Sequence, residues 1–212
     1  MRLEAGCPRC SSSVTTVDET WTCPVHGDTD PLWRVVEPGY DAFAEYLVRS
    51  RPLPTWLPWP MPPDWAVTDF GCVGREGGDP RAAFVSCSGP TELDGVVELT
   101  VVTEEPGVGL GARVAAVTHT DPGRDIGGAA APIRLRVDAA TVPVWSVDTT
   151  SEGDQVLDRA VLAGESMGRW LWLVVRPASA ALLLHDLGSL QDVAELGPEL
   201  VALPFGSVPR AW

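Results

Sequence analysis

From residue 64 onward, short apolar segments alternate with clusters of Gly, Asp and Pro, a pattern typical of strands joined by hairpins. The alternation is clearest at 133–138, where Ile133, Leu135 and Val137 are separated by charged residues, which predicts a strand with one solvent-facing side. Residues 170–175 are apolar throughout, which predicts a central strand covered on both faces. The predicted strands are 65–73, 82–88, 96–103, 133–138, 142–147, 157–163, 170–176 and 180–185.

Helical patterns are short. Residues 41–49 predict a helix capped by Asp41, and two further short helices are predicted at 110–117 and 189–196. We therefore predict an α+β fold in which residues 64–212 form a mostly antiparallel, β-rich domain with a few short helices.

Two tight turns dominate the first 36 residues, Cys7-Pro8-Arg9-Cys10 and Cys23-Pro24-Val25-His26. The β-prone segments 14–17 and 19–22 lie between them and predict a hairpin. Two such turns joined by a hairpin would bring three thiols and one imidazole to one point. This spacing predicts an N-terminal zinc ribbon over residues 1–36.

The predicted ligands of one structural Zn²⁺ ion are Cys7, Cys10, Cys23 and His26. Sulfur ligands exclude magnesium and calcium, and four protein ligands leave no open position for catalysis. A disulfide, incidental cysteines and an iron site are the alternatives.

Residues 37–63 connect the ribbon to the β-rich domain. Six prolines within 51–63 exclude a helix or a central strand there, so this part is predicted to be extended. Its tryptophans, and the apolar exit segment 31–36, favour packing against a surface over a solvated linker. We therefore expect the connector to lie on the β-rich domain and to fix the ribbon beside it.

The formal net charge of -14 and the pI of about 4.5 disfavour binding to nucleic acid or to an anionic membrane. All fifteen basic residues are arginine, which excludes mechanisms that need a Schiff-base or P-loop lysine. The sequence shows neither a signal peptide nor an apolar stretch of about 20 residues. We therefore predict a cytoplasmic protein with reduced thiols.

Weaker patterns outside the ribbon each have an ordinary structural interpretation. The glycine-rich segment 107–113 could present amides to an anion, but a tight turn fits better because two glutamates precede it. Cys87 could act as a nucleophile with His119 or His185, but it ends an apolar strand and is better explained as a buried side chain.

Further residues outside the ribbon also have an ordinary structural interpretation. The pairs formed by His119 with Asp121 and by His185 with Asp186 could belong to a site but fit ordinary loops. Nine tryptophans indicate core packing, with an aromatic groove for a partner peptide as the alternative. A turn at Asp79–Pro80 would place Cys72 opposite Cys87 on paired strands.

The whole chain resembles a family of actinobacterial proteins of unknown function that begins with the same ribbon. The resemblance rests on CPRC, CPVHG, LPWP, CSGP, EEPGVGLGAR and RWLWLVV. Members are sometimes labelled phosphotransacetylase, yet the sequence contains no motif of acetyl transfer.

These observations favour a non-catalytic interaction or regulatory module with one structural zinc ion and another protein as its partner. We predict no catalytic residues. The alternative function is a small-molecule enzyme with a pocket in the β-rich domain.

Overall fold

The computed structural model describes residues 3–18, 20–149, 158–186, 189–206 and 212. The strands are β1 Leu3–Gly6, β2 Thr15–Val17, β3 Thr20–Cys23, β4 Gly27–Asp28, β5 Leu32–Val35, β6 Trp56–Pro58, β7 Ala66–Val73, β8 Ala82–Thr91, β9 Gly95–Glu104, β10 Ile133–Val137, β11 Ala140–Ser146, β12 Ala160–Ser166, β13 Arg169–Arg176 and β14 Ser189–Asp192. The helices are α1 Tyr40–Ser50, α2 Leu110–Ala115 and α3 Leu183–Asp186.

Eleven strands form one large sheet in the order β1-β5-β7-β8-β9-β13-β12-β11-β10-β14-β6. All neighbouring strands are antiparallel except β10 and β14, which are parallel. A separate three-stranded sheet contains β2, β3 and β4. The predicted fold class is confirmed: the chain is β-rich, mostly antiparallel, and has few and short helices.

Both faces of the large sheet are covered. The first face packs against α1 and β6, with Phe43, Tyr46 and Trp56 fully buried. The second face packs against α2, whose Leu110 and Val114 are fully buried. Central strands that are covered on both sides account for the continuous apolar sequence of β13.

The ribbon is continuous with the large sheet. Strand β1 precedes the metal-binding turns and pairs with β5, which follows them, and β5 in turn pairs with β7. Asp30 accepts a hydrogen bond from Arg75 at 2.7 Å and one from Arg81 at 3.2 Å. The Trp21 ring meets the edge of the Trp33 ring, with centroids 5.4 Å apart. These contacts hold the ribbon against the sheet, while the domain boundaries at residues 36 and 63 stay predictions.

The connector also packs on the sheet. Trp56 and Leu57 are fully buried in β6, which pairs with β14 at the sheet edge. The Trp56 indole donates a hydrogen bond to Asp138 at 2.8 Å. Strand β6 ends in a proline, which has no backbone N–H to donate. Such a residue is tolerated at the edge of a sheet, because an edge strand pairs with only one neighbouring strand.

Two predicted elements at the C-terminal end were wrong in type. Residues 180–185 form no strand: a 3-10 turn at Ala178–Leu182 leads into α3, and Ala180 and Leu184 bury one side of this turn. Residues 189–196 begin as strand β14 and continue as a 3-10 turn at Val193–Glu195. Pairing of β14 with β10 and β6 outweighs the weak helical pattern in this short segment.

Helix α1 begins one residue earlier than predicted. Gly39 occupies the N-cap position, and Asp41 lies in the first turn. Strand β12 runs over Ala160–Ser166, three residues beyond the predicted start, and residue 157 lies outside the described residues.

The predicted pairing of Cys72 with Cys87 was wrong. Cys72 lies opposite Ala83, and Cys87 lies opposite Val67. The hairpin turns at Gly77 and Gly78 rather than at Asp79–Pro80, because Gly77 adopts a φ of +72° that favours glycine. The two thiols therefore lie at different levels of the same sheet face.

We expect Gly111→Ala to lower the free energy of unfolding by about 1–3 kcal/mol, although alanine is the better helix former. A methyl group at this position would overlap the indole of the fully buried Trp172. Chemical denaturation measures the effect. Gly128→Ala is the control, because no atom lies within 4 Å of its added methyl group. Equal stability of the two variants would show that α2 does not pack on Trp172.

Candidate functional site

The side chains of Cys7, Cys10, Cys23 and His26 converge, and their ligand atoms all lie within 4.8 Å of one another. His26 Nδ1 lies 3.5 Å from Cys7 Sγ and 3.6 Å from Cys23 Sγ. Cys10 Sγ lies 3.7 Å from Cys23 Sγ. This cluster can bind a metal ion, and three sulfur atoms with one imidazole nitrogen fit a tetrahedral site.

Backbone amides in both turns point at the sulfur atoms. Arg9 N donates to Cys7 Sγ and Val25 N donates to Cys23 Sγ, each at 3.4 Å. Such amides stabilise thiolates, the form in which cysteine binds a metal ion. The second turn closes at Gly27, whose φ of +70° requires a residue without Cβ strain.

The thiols differ in their pKa. Burial raises the pKa of Cys7 to about 11. Burial acts in the same direction on Cys10, but hydrogen bonds from the Ser12 side chain and amide and from the other thiols outweigh it and lower its pKa to about 6. Metal binding must therefore displace a proton from Cys7 at neutral pH.

The first turn of the ribbon is fastened to the loop before α2. Arg9 donates hydrogen bonds to Val108 O at 3.0 Å and to Gly107 O at 2.6 Å. Arg113 in α2 donates to Cys7 O. These contacts connect the candidate metal centre directly to the second face of the large sheet.

The glycine-rich segment 107–113 forms a turn that leads into α2. The Gly107 amide donates to Asp121 and the Leu110 amide donates to Glu104, each at 2.8 Å. Glu104 is fully buried and also accepts the Trp172 indole N–H at 2.7 Å. The backbone amides that the sequence suggested for binding an external anion therefore donate hydrogen bonds to carboxylates of the same chain.

The candidate nucleophile does not lie in an accessible site. Cys87 is completely buried in the core of the first face, and burial raises the pKa of its thiol far above the ordinary value. His119 Nε2 lies 3.0 Å from Asp125 Oδ2 rather than beside Asp121. The side chains of His185 and Asp186 lie outside the described residues.

The second face carries a group of buried and partly buried charged and hydroxyl side chains that the sequence reasoning missed, here called the polar stripe: Arg34, Asp69, Ser86, Glu98, Thr100 and Arg176. Arg34 forms a buried ion pair with Asp69. Arg176 lies 3.4 Å from Glu98. The Ser86 and Thr100 hydroxyls are 2.7 Å apart.

Single polar residues inside otherwise apolar strands were the signal for the polar stripe. Each such residue looked isolated in the sequence, because the strand register that aligns them was not known. Burial is the main cause of the raised pKa of Glu98, which the charge of Arg176 opposes. A titratable group whose pKa is shifted by burial and by a specific charged neighbour is a candidate for a functional site.

A groove of about 670 Å³ lies between α1 and the turn that joins β7 to β8. Trp33, Cys72 and Val48 contribute apolar surface, and Val48 is 75% exposed. The groove is further lined by charged side chains of Glu45, Arg49, Arg51, Arg75 and Glu76. Other tryptophans, including Trp56, Trp65 and Trp172, are buried in the core.

Across its described ranges, the chain contains no helix that is both long and apolar enough to cross a bilayer. The chain belongs to a family of unknown function, DUF6758, whose model matches residues 1–211. No curated protein and no solved structure matches the chain. The predicted resemblance to a family of unknown function over nearly the full length of the chain is thus confirmed. The family model confirms neither the zinc ribbon nor an actinobacterial origin.

We expect the stability contributed by Glu104 to fall as the pH rises from about 4.5 to about 7. Burial raises the pKa of this carboxyl to about 7 in the folded protein, so the unfolded chain releases the proton first. The free energy of unfolding of the wild type relative to Glu104→Gln should decrease by roughly 3 kcal/mol at most over this range.

Denaturation of both proteins at pH 5 and pH 8 measures this difference. Glu105→Gln, which removes the charge of a side chain paired with Arg81 on the surface, is the control. A difference that is the same at both pH values would contradict the assignment.

Proposed function

We propose that this member of the DUF6758 family is a non-catalytic, protein-binding module whose N-terminal ribbon is held by one structural zinc ion. The observation that carries the proposal is the groove beside the ribbon. There, the strongly exposed Val48 lies in a groove that is also lined by Trp33 and by arginine and glutamate side chains.

Zinc is the metal that the four residues suit best. Three thiolates and one imidazole favour Zn²⁺ over oxygen-loving cations, and four protein ligands complete its coordination. Such an ion would supply no activated water and would act on structure alone. Its role would be to hold both tight turns, and through Arg9 and Arg113 the loop before α2.

The groove favours a partner segment with one apolar side chain flanked by carboxylates. Val48 offers an exposed apolar contact, and burial of such a side chain contributes about 1.5–3 kcal/mol. Arg51 supplies positive charge on a protein whose overall charge is -14, whereas Arg75 is already paired with Asp28 and Asp30. That overall charge favours a protein partner over nucleic acid or an anionic membrane.

We also propose a cytoplasmic location. None of the five cysteines forms a disulfide, which suits a reducing compartment.

The purified protein should contain one zinc ion per chain, and Cys10→Ala should lose it, because three ligands cannot complete the site. His26→Ala should weaken binding less, since three thiolates remain. Mass spectrometry of the native protein and elemental analysis measure the metal content. Cys72→Ala is the control, since Cys72 lies in the sheet core away from the ligands, and it should keep the zinc.

Removing the zinc should lower the melting temperature of the whole protein by about 5 °C or more, because the ribbon strands belong to the large sheet. Stoichiometric iron in protein prepared without oxygen, or full metal retention by Cys10→Ala, would contradict the zinc assignment.

Val48→Glu should abolish capture of the native partner from cells that express the protein, because it places a carboxylate on the apolar surface of the groove. Arg51→Glu should weaken capture by reversing the charge. Val96→Glu is the matched control, since Val96 is 68% exposed and lies outside the groove. Titration of the purified partner should show at least tenfold weaker binding to Val48→Glu. Equal binding to Val48→Glu and Val96→Glu would overturn the groove as the binding surface.

A small-molecule binding protein or enzyme is the second candidate function. The polar stripe favours it, since it places two ion pairs and two hydroxyls on one covered sheet face.

A further inference from the structure

Two arginine side chains meet at the ring of Trp212. The guanidinium carbon of Arg34 lies 3.8 Å from the centroid of the Trp212 ring, and that of Arg113 lies 5.1 Å from it. The ring of Phe84 meets the indole edge-on, with centroids 4.8 Å apart. We call this arrangement of Arg34, Arg113 and Phe84 the indole slot.

The indole slot also recognises a backbone oxygen. Arg34 Nη1 donates a hydrogen bond to Trp212 O at 2.9 Å, while its Nε and Nη2 donate to Asp69. Arg34 is thus held rigidly by Asp69 and directs its remaining nitrogen at an oxygen acceptor. A guanidinium fixed in this way is prepared to bind a carboxylate.

A small polar groove adjoins the slot. Arg34 and Arg113 line this groove of about 160 Å³ together with Ser11, Ser12 and Ser13. The same two side chains therefore contact the indole and border a space that is also lined by the three serines and by the exposed Glu4. The two guanidinium groups carry charges of the same sign, and an anion in this space would reduce the repulsion between them.

These contacts define a ligand with two parts. Guanidinium groups favour the face of an electron-rich aromatic ring, with indole the best of the natural rings. The adjoining hydroxyls and guanidinium nitrogens favour a carboxylate a few bonds from the ring. The ring of Trp212 occupies the aromatic position, and the backbone oxygen of Trp212 occupies the position of a carboxylate oxygen.

We propose that the indole slot and its polar groove form a binding site for an aromatic carboxylate, and that Trp212 of the same chain occupies the ring position. The site lies on the second face of the sheet, because Arg34 alternates with Trp33, which packs in the first face. It is therefore separate from the groove between α1 and the β7–β8 turn.

The slot is also coupled to the candidate metal centre. Arg113 donates to Cys7 O, so the first turn of the ribbon positions one of the two guanidinium groups. Ser11, Ser12 and Ser13 follow the ligand Cys10 directly in the sequence. Chelation of the metal should therefore disturb both sides of the polar groove.

The test uses the full zinc-loaded chain with Trp212→Ala, which empties the ring position, and N-acetyl-L-tryptophan as the probe. Isothermal titration calorimetry should show millimolar binding to this variant and at least tenfold weaker binding to the wild type. N-acetyl-L-tryptophanamide, which has the ring without the carboxylate, should bind the variant at least tenfold more weakly than the acid. Treatment with a chelator should abolish binding of the acid.

Trp145→Ala is the matched control. The Trp145 indole donates to Ala129 O at the protein surface, and its removal should create no binding site. If Trp212→Ala does not fold, Trp212→Phe keeps a smaller ring in the slot and should still bind the acid at least threefold more tightly than the wild type. The proposal is overturned if the folded variant does not bind the acid, if wild type and variant bind it equally, or if the amide binds as well as the acid.

Discussion

The carboxylate of Glu104 accepts hydrogen bonds from the Leu110 amide and the Trp172 indole, at the end of β9 where the large sheet meets the loop before α2. These bonds fix the start of α2 on the second face of the sheet. The loop that precedes α2 then offers the carbonyl oxygens of Gly107 and Val108 to Arg9, which belongs to the first turn of the ribbon. One buried carboxylate thus supports the position of the candidate metal centre.

Contacts between the ribbon and the β7–β8 hairpin explain why the ribbon has an acidic surface, which is unusual for a domain that binds nucleic acid. Asp28 and Asp30 face Arg75 and Arg81 of the β7–β8 hairpin, so these acidic side chains serve attachment to the sheet. Exposed ion pairs of this kind each contribute little, about 0–1 kcal/mol. Strand pairing and the contact of Trp21 with Trp33 provide the larger share of the attachment.

Elements with a strong local pattern could be predicted from the sequence. The ligand spacing in the ribbon predicted four side chains that the fold brings together, and apolar segments bounded by turn residues predicted seven of the eight strands proposed in the β-rich part. The predicted strand at 180–185 and helix at 189–196 failed, because pairing partners distant in sequence decide the structure of short segments.

Features that depend on the register between strands could not be predicted from local sequence patterns. The turn at Gly77 displaced the pairing of Cys72, and the polar stripe exists because Arg34, Asp69 and Glu98 occupy the same face of different strands. The indole slot joins residues 34, 84, 113 and 212, which no local pattern connects.

Strand β1 pairs with β5, and the whole metal-binding segment lies between them as the loop of one long hairpin. Closing a long loop costs conformational entropy, which a metal crosslink within the loop reduces. Without the crosslink, β1 is the element most easily detached, since it is the terminal strand of the sheet. Its loss would leave the backbone of β5, with Leu32 and Trp33, as a free edge able to pair with another chain. A metal ion bound at this centre would then protect the protein from aggregation as well as preserve its fold, and loss of the ion would appear first as loss of solubility.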